Sequence, residues 1–211
     1  MKPEMLVVLD VLGILSFSVS GALVAIKKKM DYLGVCILGI VASIGGGVMR
    51  DILIGRIPPV IFTDPLYVGV AFVSSSIFFL ICYLGIPART SKSLNHFFEN
   101  ASFWFDTVGL ASFTVNGVFV GISYNESFFL CCFLGVITGV GGGVLRDLLA
   151  NQVPAIFVKH VYAAASIAGA LVMMLLWNYN NIAASISGMA VVIVVRFLAR
   201  HFNWNLPKVK N

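Results

Sequence analysis

Two short stretches put glycine and charge where an apolar run should be uninterrupted. The first reads Gly45, Gly46, Gly47, Val48, Met49, Arg50, Asp51; the second reads Gly141, Gly142, Gly143, Val144, Leu145, Arg146, Asp147. Glycine inside a helix costs about 1 kcal/mol relative to alanine. An ionisable residue near a membrane-helix centre costs about 2.5–3.5 kcal/mol on the insertion scale. A chain that bears both costs twice, at matching positions, points to function. The chemistry open to it is passage of an ion or small polar solute. A helix broken at the glycines exposes carbonyls at the end of its first half, which can replace the hydration shell of Na+ or K+. The amides that open the second half favour an anionic group such as a carboxylate. Unbroken, the same glycines permit close helix packing.

The elements that position these residues are apolar spans. Of 211 residues, 59% are hydrophobic and 11% charged, and mean hydropathy is +0.98. Soluble domains carry about 25% charged residues. The fold class is therefore an all-α integral membrane protein, since a membrane barrel would show alternating ten-residue segments. Seven spans are expected, at about 6–26, 32–54, 65–85, 102–122, 128–149, 160–177 and 182–198. The formal charge of +5 reflects basic loops on one side of the membrane, not a nucleic-acid surface. Cys36, Cys82, Cys131 and Cys132 lie in apolar spans without a CxxC pair, and the three histidines are scattered. No metal site or other cofactor is expected.

A shift of 96 residues aligns 9–62 on 105–158 without a gap, and nineteen of these fifty-four positions are identical. Asp10 falls on Asp106, Phe17 on Phe113, Arg50 on Arg146 and Asp51 on Asp147. Each copy holds three spans, an odd number, so the second must enter from the opposite face. That gives inverted repeats, an architecture common among transporters. The division is 1–86 for the first three-helix repeat, 87–101 for a cytoplasmic linker, 102–178 for the inverted second repeat, and 179–211 for a seventh helix with a basic tail. Lys27, Lys28, Lys29, Arg89, Lys92, Lys159 and the tail share one side, against Lys2 and Arg56 on the other. The positive-inside rule then puts the N-terminus outside and the C-terminus in the cytoplasm.

Depth follows from a rise of about 1.5 Å per residue. Asp10 and Arg50 both lie roughly 9–10 Å to one side of the midplane, and Asp106 and Arg146 lie as far to the other. Ion pairs Asp10–Arg50 and Asp106–Arg146 are expected. Arg50 and Asp51 are sequence neighbours on different helix faces, so they are not expected to pair. Each repeat then holds two carboxylates and one guanidinium, and the acidic surplus favours cations. Arg50 and Arg146 are expected to act as tethers of a gate. Ser16 and Ser20 lie one helical turn apart, as do Ser112 and Asn116; each pair lines a wet path or permits close packing. Phe17 and Phe113 are either hydrophobic gates or packing. No P-loop, HExxH or GxSxG occurs, and no nucleophile–base set is visible, so an enzyme is not expected.

The doubled GGGxxRD motif, in a seven-span chain of this length, resembles the prokaryotic trimeric intracellular cation (TRIC) channel family, whose bacterial relatives are also labelled glycine transporter domain proteins. The resemblance covers about residues 5–200. It implies a homotrimer in membrane lipid with a pore in each protomer, helices two and five kinked at the glycines, and permeation of K+ and Na+. Animal members carry Lys-Glu-Val where this chain has Arg50-Asp51 and Arg146-Asp147. The alternative function is a secondary transporter for glycine or a similar small solute.

Overall fold

The computed structural model describes residues 3–85, 94–158 and 161–204, and every regular element among them is helical. The helices are α1 (Pro3–Lys27), α2 (Tyr32–Leu53), α3 (Val60–Thr63), α4 (Pro65–Tyr83), α5 (Leu94–Ser123), α6 (Phe128–Leu149), α7 (Ala155–Val158), α8 (Tyr162–Leu176) and α9 (Asn181–His201). Six of them are long and apolar enough to cross a membrane, and α8 is a shorter apolar helix. At about 1.5 Å per residue α8 spans roughly 22 Å, less than a bilayer core of about 30 Å. Helix α5 starts at Leu94, inside the stretch expected to be linker. The rest of that linker, with Arg89 and Lys92, lies outside the described residues, as do Lys2, Lys159 and the tail from 205 onward.

The local chemistry repeats with the sequence. Asp31 caps α2 by accepting from the Gly34 amide, and its equivalent Ser127 caps α6 by accepting from the Leu130 amide. Lys29 and Asn125, which precede those caps, both sit at positive φ (58° and 57°). After the charged motif, Gly55 and Asn151 take matching left-handed turns with φ of 73° and 50°. Glycine and asparagine are the residues for which that conformation is cheapest.

Equivalent helices of the two repeats meet face to face and run antiparallel. Along α2 and α6, Gly46 lies against the Thr138 carbonyl while Ala42, one turn earlier, offers its carbonyl to Gly142, one turn later. Along α1 and α5, the Phe113 ring covers Gly13 and the Phe17 ring covers Gly109. This is the inverted repeat, with its two-fold axis passing between the two phenylalanines, whose rings stack at 5.5 Å. Serine and threonine tie the first helix of each repeat to the third: Ser18 to Ser74 and Thr114 to Ser166. Helix α9 lies outside the repeat and packs on α8 and α5, with Gly169 and Gly188 at the crossing.

The expected breaks at the glycine triplets do not occur. Residues 32–53 and 128–149 are each continuous α-helix. The triplets serve close approach instead. A Cβ on Gly46 would lie 2.0 Å from the Thr138 carbonyl oxygen, and one on Gly142 would lie 2.0 Å from that of Ala42. Gly45 and Gly141 make room for Leu145 and Met49 of the opposite helix. Helix–helix contact thus offsets the propensity cost, and amides and carbonyls within the helices keep their partners.

Candidate functional site

The crossing of α2 and α6 carries each arginine to the end of its helix, where the chain turns back. Arg50, Asp51, Asp106, Arg146 and Asp147 are all buried, each 8% exposed or less. Removing a charge from water costs several kcal/mol unless it is paired and hydrogen-bonded. Two clusters, one on each side of the two-fold axis, meet that demand in different ways.

At the first end, the Arg50 Nε donates to Asp51 Oδ1 at 2.9 Å, and its Nη2 lies 2.8 Å from the same oxygen. The other carboxylate oxygen of Asp51 accepts from the Val60 amide at 2.9 Å, which anchors the start of α3. Arg50 Nη1 donates to the Asn116 side-chain carbonyl, and Asn116 Nδ2 donates to Asp10 Oδ1 at 2.8 Å. The expected Asp10–Arg50 pair is therefore a relay through an amide of the other repeat. The two charged residues are at one level, as their depths required, but Asn116 stands between them.

At the second end, Arg146 pairs with Asp147 in the same way, through Nε and Nη2 at 2.8 Å each. Asp147 Oδ2 accepts from the Ala155 amide and Oδ1 from Gln152. Arg146 Nη1 donates to Ser20, the equivalent of Asn116, and reaches Asp106 Oδ1 directly at 2.8 Å. The Asp106–Arg146 pair expected from depth is present. Serine is too short to stand between the charges, so the ion pair closes here.

Two expectations are corrected. Arg50 and Asp51 do pair, as do Arg146 and Asp147. The rule that successive residues face apart holds for Cβ directions, but an arginine is long enough to curl round its helix end to a carboxylate fixed by the returning loop. The acidic surplus expected in each repeat exists at one end only. Helix α9 brings Arg196 to the second cluster, where Nη2 lies 3.2 Å from Asp106 Oδ2 and Nε donates to Thr107 Oγ1. Its guanidinium is held between the rings of Phe103 and Tyr162, 5.0 and 4.6 Å away. The signal was in the sequence: Arg196 follows seven consecutive apolar residues, the same anomaly that singled out Arg50.

Each cluster borders a cavity. The first, about 40 Å³, is lined by Asp10, Ser43, Gly47, Arg50, Asp51, Tyr67 and Phe113 among others. The second is a vestibule of about 410 Å³ lined by Asp106, Arg146, Asp147 and Arg196 with Lys27, Lys28, Glu99 and Arg200. Between the clusters lie the Phe17–Phe113 stack and the glycine crossing. Gly47 and Gly143 face their own arginines, with Nη2 3.8 Å from where a Cβ would sit. Of the serines expected to line a path, Ser20 binds Arg146. Ser16 is buried and is not among the lining residues of either cavity. Among the described residues no group of three or more His, Cys, Asp or Glu is placed to hold a metal ion. The arrangement can offer a cation a carboxylate-lined station near one face of the membrane and a mixed-charge vestibule near the other.

Fold and site together define a helical membrane protein built on an inverted repeat, with a buried ion cluster on each side of its pseudo-two-fold axis. The family model described as "Glycine transporter" matches residues 7–83 and 103–178, the two repeats in turn. The chain belongs to this family. It is 36% identical over 199 residues to the UPF0126 membrane protein YvgT of Bacillus subtilis, covering 94% of each chain. It is 36% identical over 208 residues to the UPF0126 inner membrane protein YadS of Escherichia coli K12, covering 94% of this chain and 93% of that one. Among solved structures it is similar to the TRIC orthologue of Rhodobacter sphaeroides, with 30% identity, TM-score 0.84, and 94% and 98% of the two chains covered. A chain from a study of conductance through TRIC cation channels matches at 32% identity and TM-score 0.81, with 97% of each covered.

Proposed function

We propose that this protein is a monovalent cation channel for K+ and Na+, with one pore in each protomer of a homotrimer. The observation that carries the reading is the acidic surplus at the Asp10 end. One guanidinium there serves two carboxylates, beside a cavity, in a chain whose solved relatives are cation channels. A path with a net negative station attracts cations and rejects anions. The route runs from Asp10 and Asp51, past Gly47 and the Phe17–Phe113 stack, to Asp106 and the vestibule. With the two rings stacked and wedged onto Gly109 and Gly13 the route is closed, so Phe17 and Phe113 act as the gate. Arg50 and Arg146 are the tethers that hold the two helix ends.

The end that gathers Lys27, Lys28 and Arg200 is cytoplasmic on this reading, and the N-terminus is outside. Purified protein in a planar bilayer under asymmetric KCl should give unitary steps that reverse near the K+ equilibrium potential. Phe17→Ala should raise the open probability, and Arg50→Ala should change open probability or conductance. The description of the matching family supports one other reading, a secondary transporter for glycine. The continuous helices weigh against a carboxylate site made of exposed amides. Saturable glycine uptake into proteoliposomes, with no unitary current, would replace the channel reading.

A further inference from the structure

The two ends of the proposed path differ by one residue that the repeat does not supply. Helix α9 has no counterpart in the first repeat, and it contributes Arg196 to the Asp106 cluster. Both oxygens of Asp106 are consequently engaged by guanidiniums, Arg146 on Oδ1 and Arg196 on Oδ2. Asp10 is hydrogen-bonded by Asn116, a neutral amide. Formal charge at the Asp10 end is −1, from Asp10, Asp51 and Arg50. At the Asp106 end it is 0, from Asp106, Asp147, Arg146 and Arg196. Without Arg196 the two buried clusters would match in charge, although Lys27, Lys28 and Arg200 still outnumber Glu99 in the vestibule.

We infer that Arg196 is a conductance- and direction-determining charge: by clamping Asp106 it leaves a permeating cation one net acidic station, at the Asp10 end. Arg196 is suited to this role. It is 5% exposed yet lines the vestibule, so its charge acts on the path with little screening by salt. Its plane is fixed between two rings, and Thr107 takes a further hydrogen bond. The residues lining the outer part of the vestibule do not reverse the balance. Lys27, Lys28 and Arg200 stand there against Glu99. The consequence is a path that gathers cations from one side and not from the other, so current in symmetric KCl should be larger for K+ entering at the Asp10 end.

The inference rests on the channel reading, and one series separates the two. Full-length protein is recorded in planar bilayers in symmetric KCl. A wild type that carries no K+ current overturns the channel reading and this inference with it. With current present, Arg196→Gln should give the Asp106 end a charge of −1 and raise K+ current entering there about twofold. That is the effect of one unit charge at roughly 8 Å through water. Arg196→Lys should keep the wild-type asymmetry. Arg196→Cys should behave as Arg196→Gln until a cationic methanethiosulfonate reagent, applied from the vestibule side, restores the wild-type curve; an anionic reagent should move it further away. If the Arg196 variants do not fold, Asp106→Asn should make that end +1 and lower the same current about twofold. Current–voltage curves unchanged in Arg196→Gln, altered equally in Arg196→Gln and Arg196→Lys, insensitive to reagent charge, or unchanged in Asp106→Asn would overturn the inference.

Discussion

At the Asp10 end one arginine serves two carboxylates, and at the Asp106 end two arginines do. The two ends descend from one sequence: Arg50 and Arg146, Asp51 and Asp147, Asp10 and Asp106 are equivalent under the shift of 96. Beyond Gln152, which donates to Asp147 where the equivalent residue is Arg56, two changes separate them. Position 20 of the first repeat is Ser, while its equivalent 116 is Asn, and each reaches across to the arginine of the other repeat. The second change is Arg196, added from outside the duplication. A two-fold scaffold would make both ends behave alike, so directionality must come from side chains that break the symmetry, these and the basic residues that line the larger cavity. The scaffold itself stays symmetric because the glycine crossing tolerates nothing larger.

That crossing gives the largest expected effect. Gly46→Ala or Gly142→Ala would put a methyl group 2.0 Å from a backbone oxygen of the facing helix. Backbone cannot rotate away as a side chain can, so each variant should cost about 3 kcal/mol or more. Both should show sharply lowered thermal stability of the detergent-solubilised protein, and to a similar degree. A large difference between the two would mean that the crossing is less symmetric than the contacts indicate.

Next come the arginines, where the ends should diverge. Removing one partner of a buried ion pair costs about 3–5 kcal/mol. Arg50→Ala leaves Asp10 and Asp51 with no cation beside them and should fall in that range. Arg146→Ala leaves Asp106 with Arg196, and Asp147 with Gln152 and the Ala155 amide. Its cost should be about half as large. Equal losses in melting temperature would break the comparison and remove Arg196 from the account of the second cluster.

The relay residue should have a smaller effect. Asn116→Ala removes the amide between Arg50 and Asp10 and should cost about 1–3 kcal/mol. Asn116→Ser reproduces the geometry of the other end and should recover part of that loss, because Arg50 can then approach Asp10 directly. A stability of Asn116→Ser no better than that of Asn116→Ala would show that the two ends are not interchangeable at this position.

Most of this frame could be read from the residues. The duplication, the depth match of Asp10 with Arg50 and of Asp106 with Arg146, and the all-helical membrane fold follow from periodicity, helix rise and composition. The failures share a cause: each turns on tertiary contact or side-chain reach, which spacing does not encode. Helix propensity alone argued for breaks at Gly45–Gly47 and Gly141–Gly143, whereas contact between the helices outweighs that cost. Cβ direction alone argued against Arg50–Asp51, whereas the loop that returns to Val60 fixes the carboxylate where the arginine can curl to it. Arg196 lies outside the repeat, where no matching residue in the other copy marks it.

The smallest effect tests the third glycine of each triplet, where the two ends differ least in backbone and most in neighbours. A Cβ on Gly47 would find nothing within 4 Å except Arg50 Nη2 at 3.8 Å, whereas one on Gly143 would sit 3.2 Å from the Tyr162 hydroxyl. Gly47→Ala should therefore gain helix propensity, about 1 kcal/mol, with no clash to offset it. Gly143→Ala should be closer to neutral, because Tyr162 is buried and must give way. If the glycines at these two positions only served packing, Gly47→Ala would be a silent stabilising change. The cavity on its side is small, about 40 Å³, and Gly47 is among its lining residues. A methyl group there narrows the proposed path beside Asp10, so K+ current should fall while melting temperature rises. A stabilised Gly47→Ala protein with undiminished current would move the path away from Gly47 and leave the acidic surplus at that end as a structural feature alone.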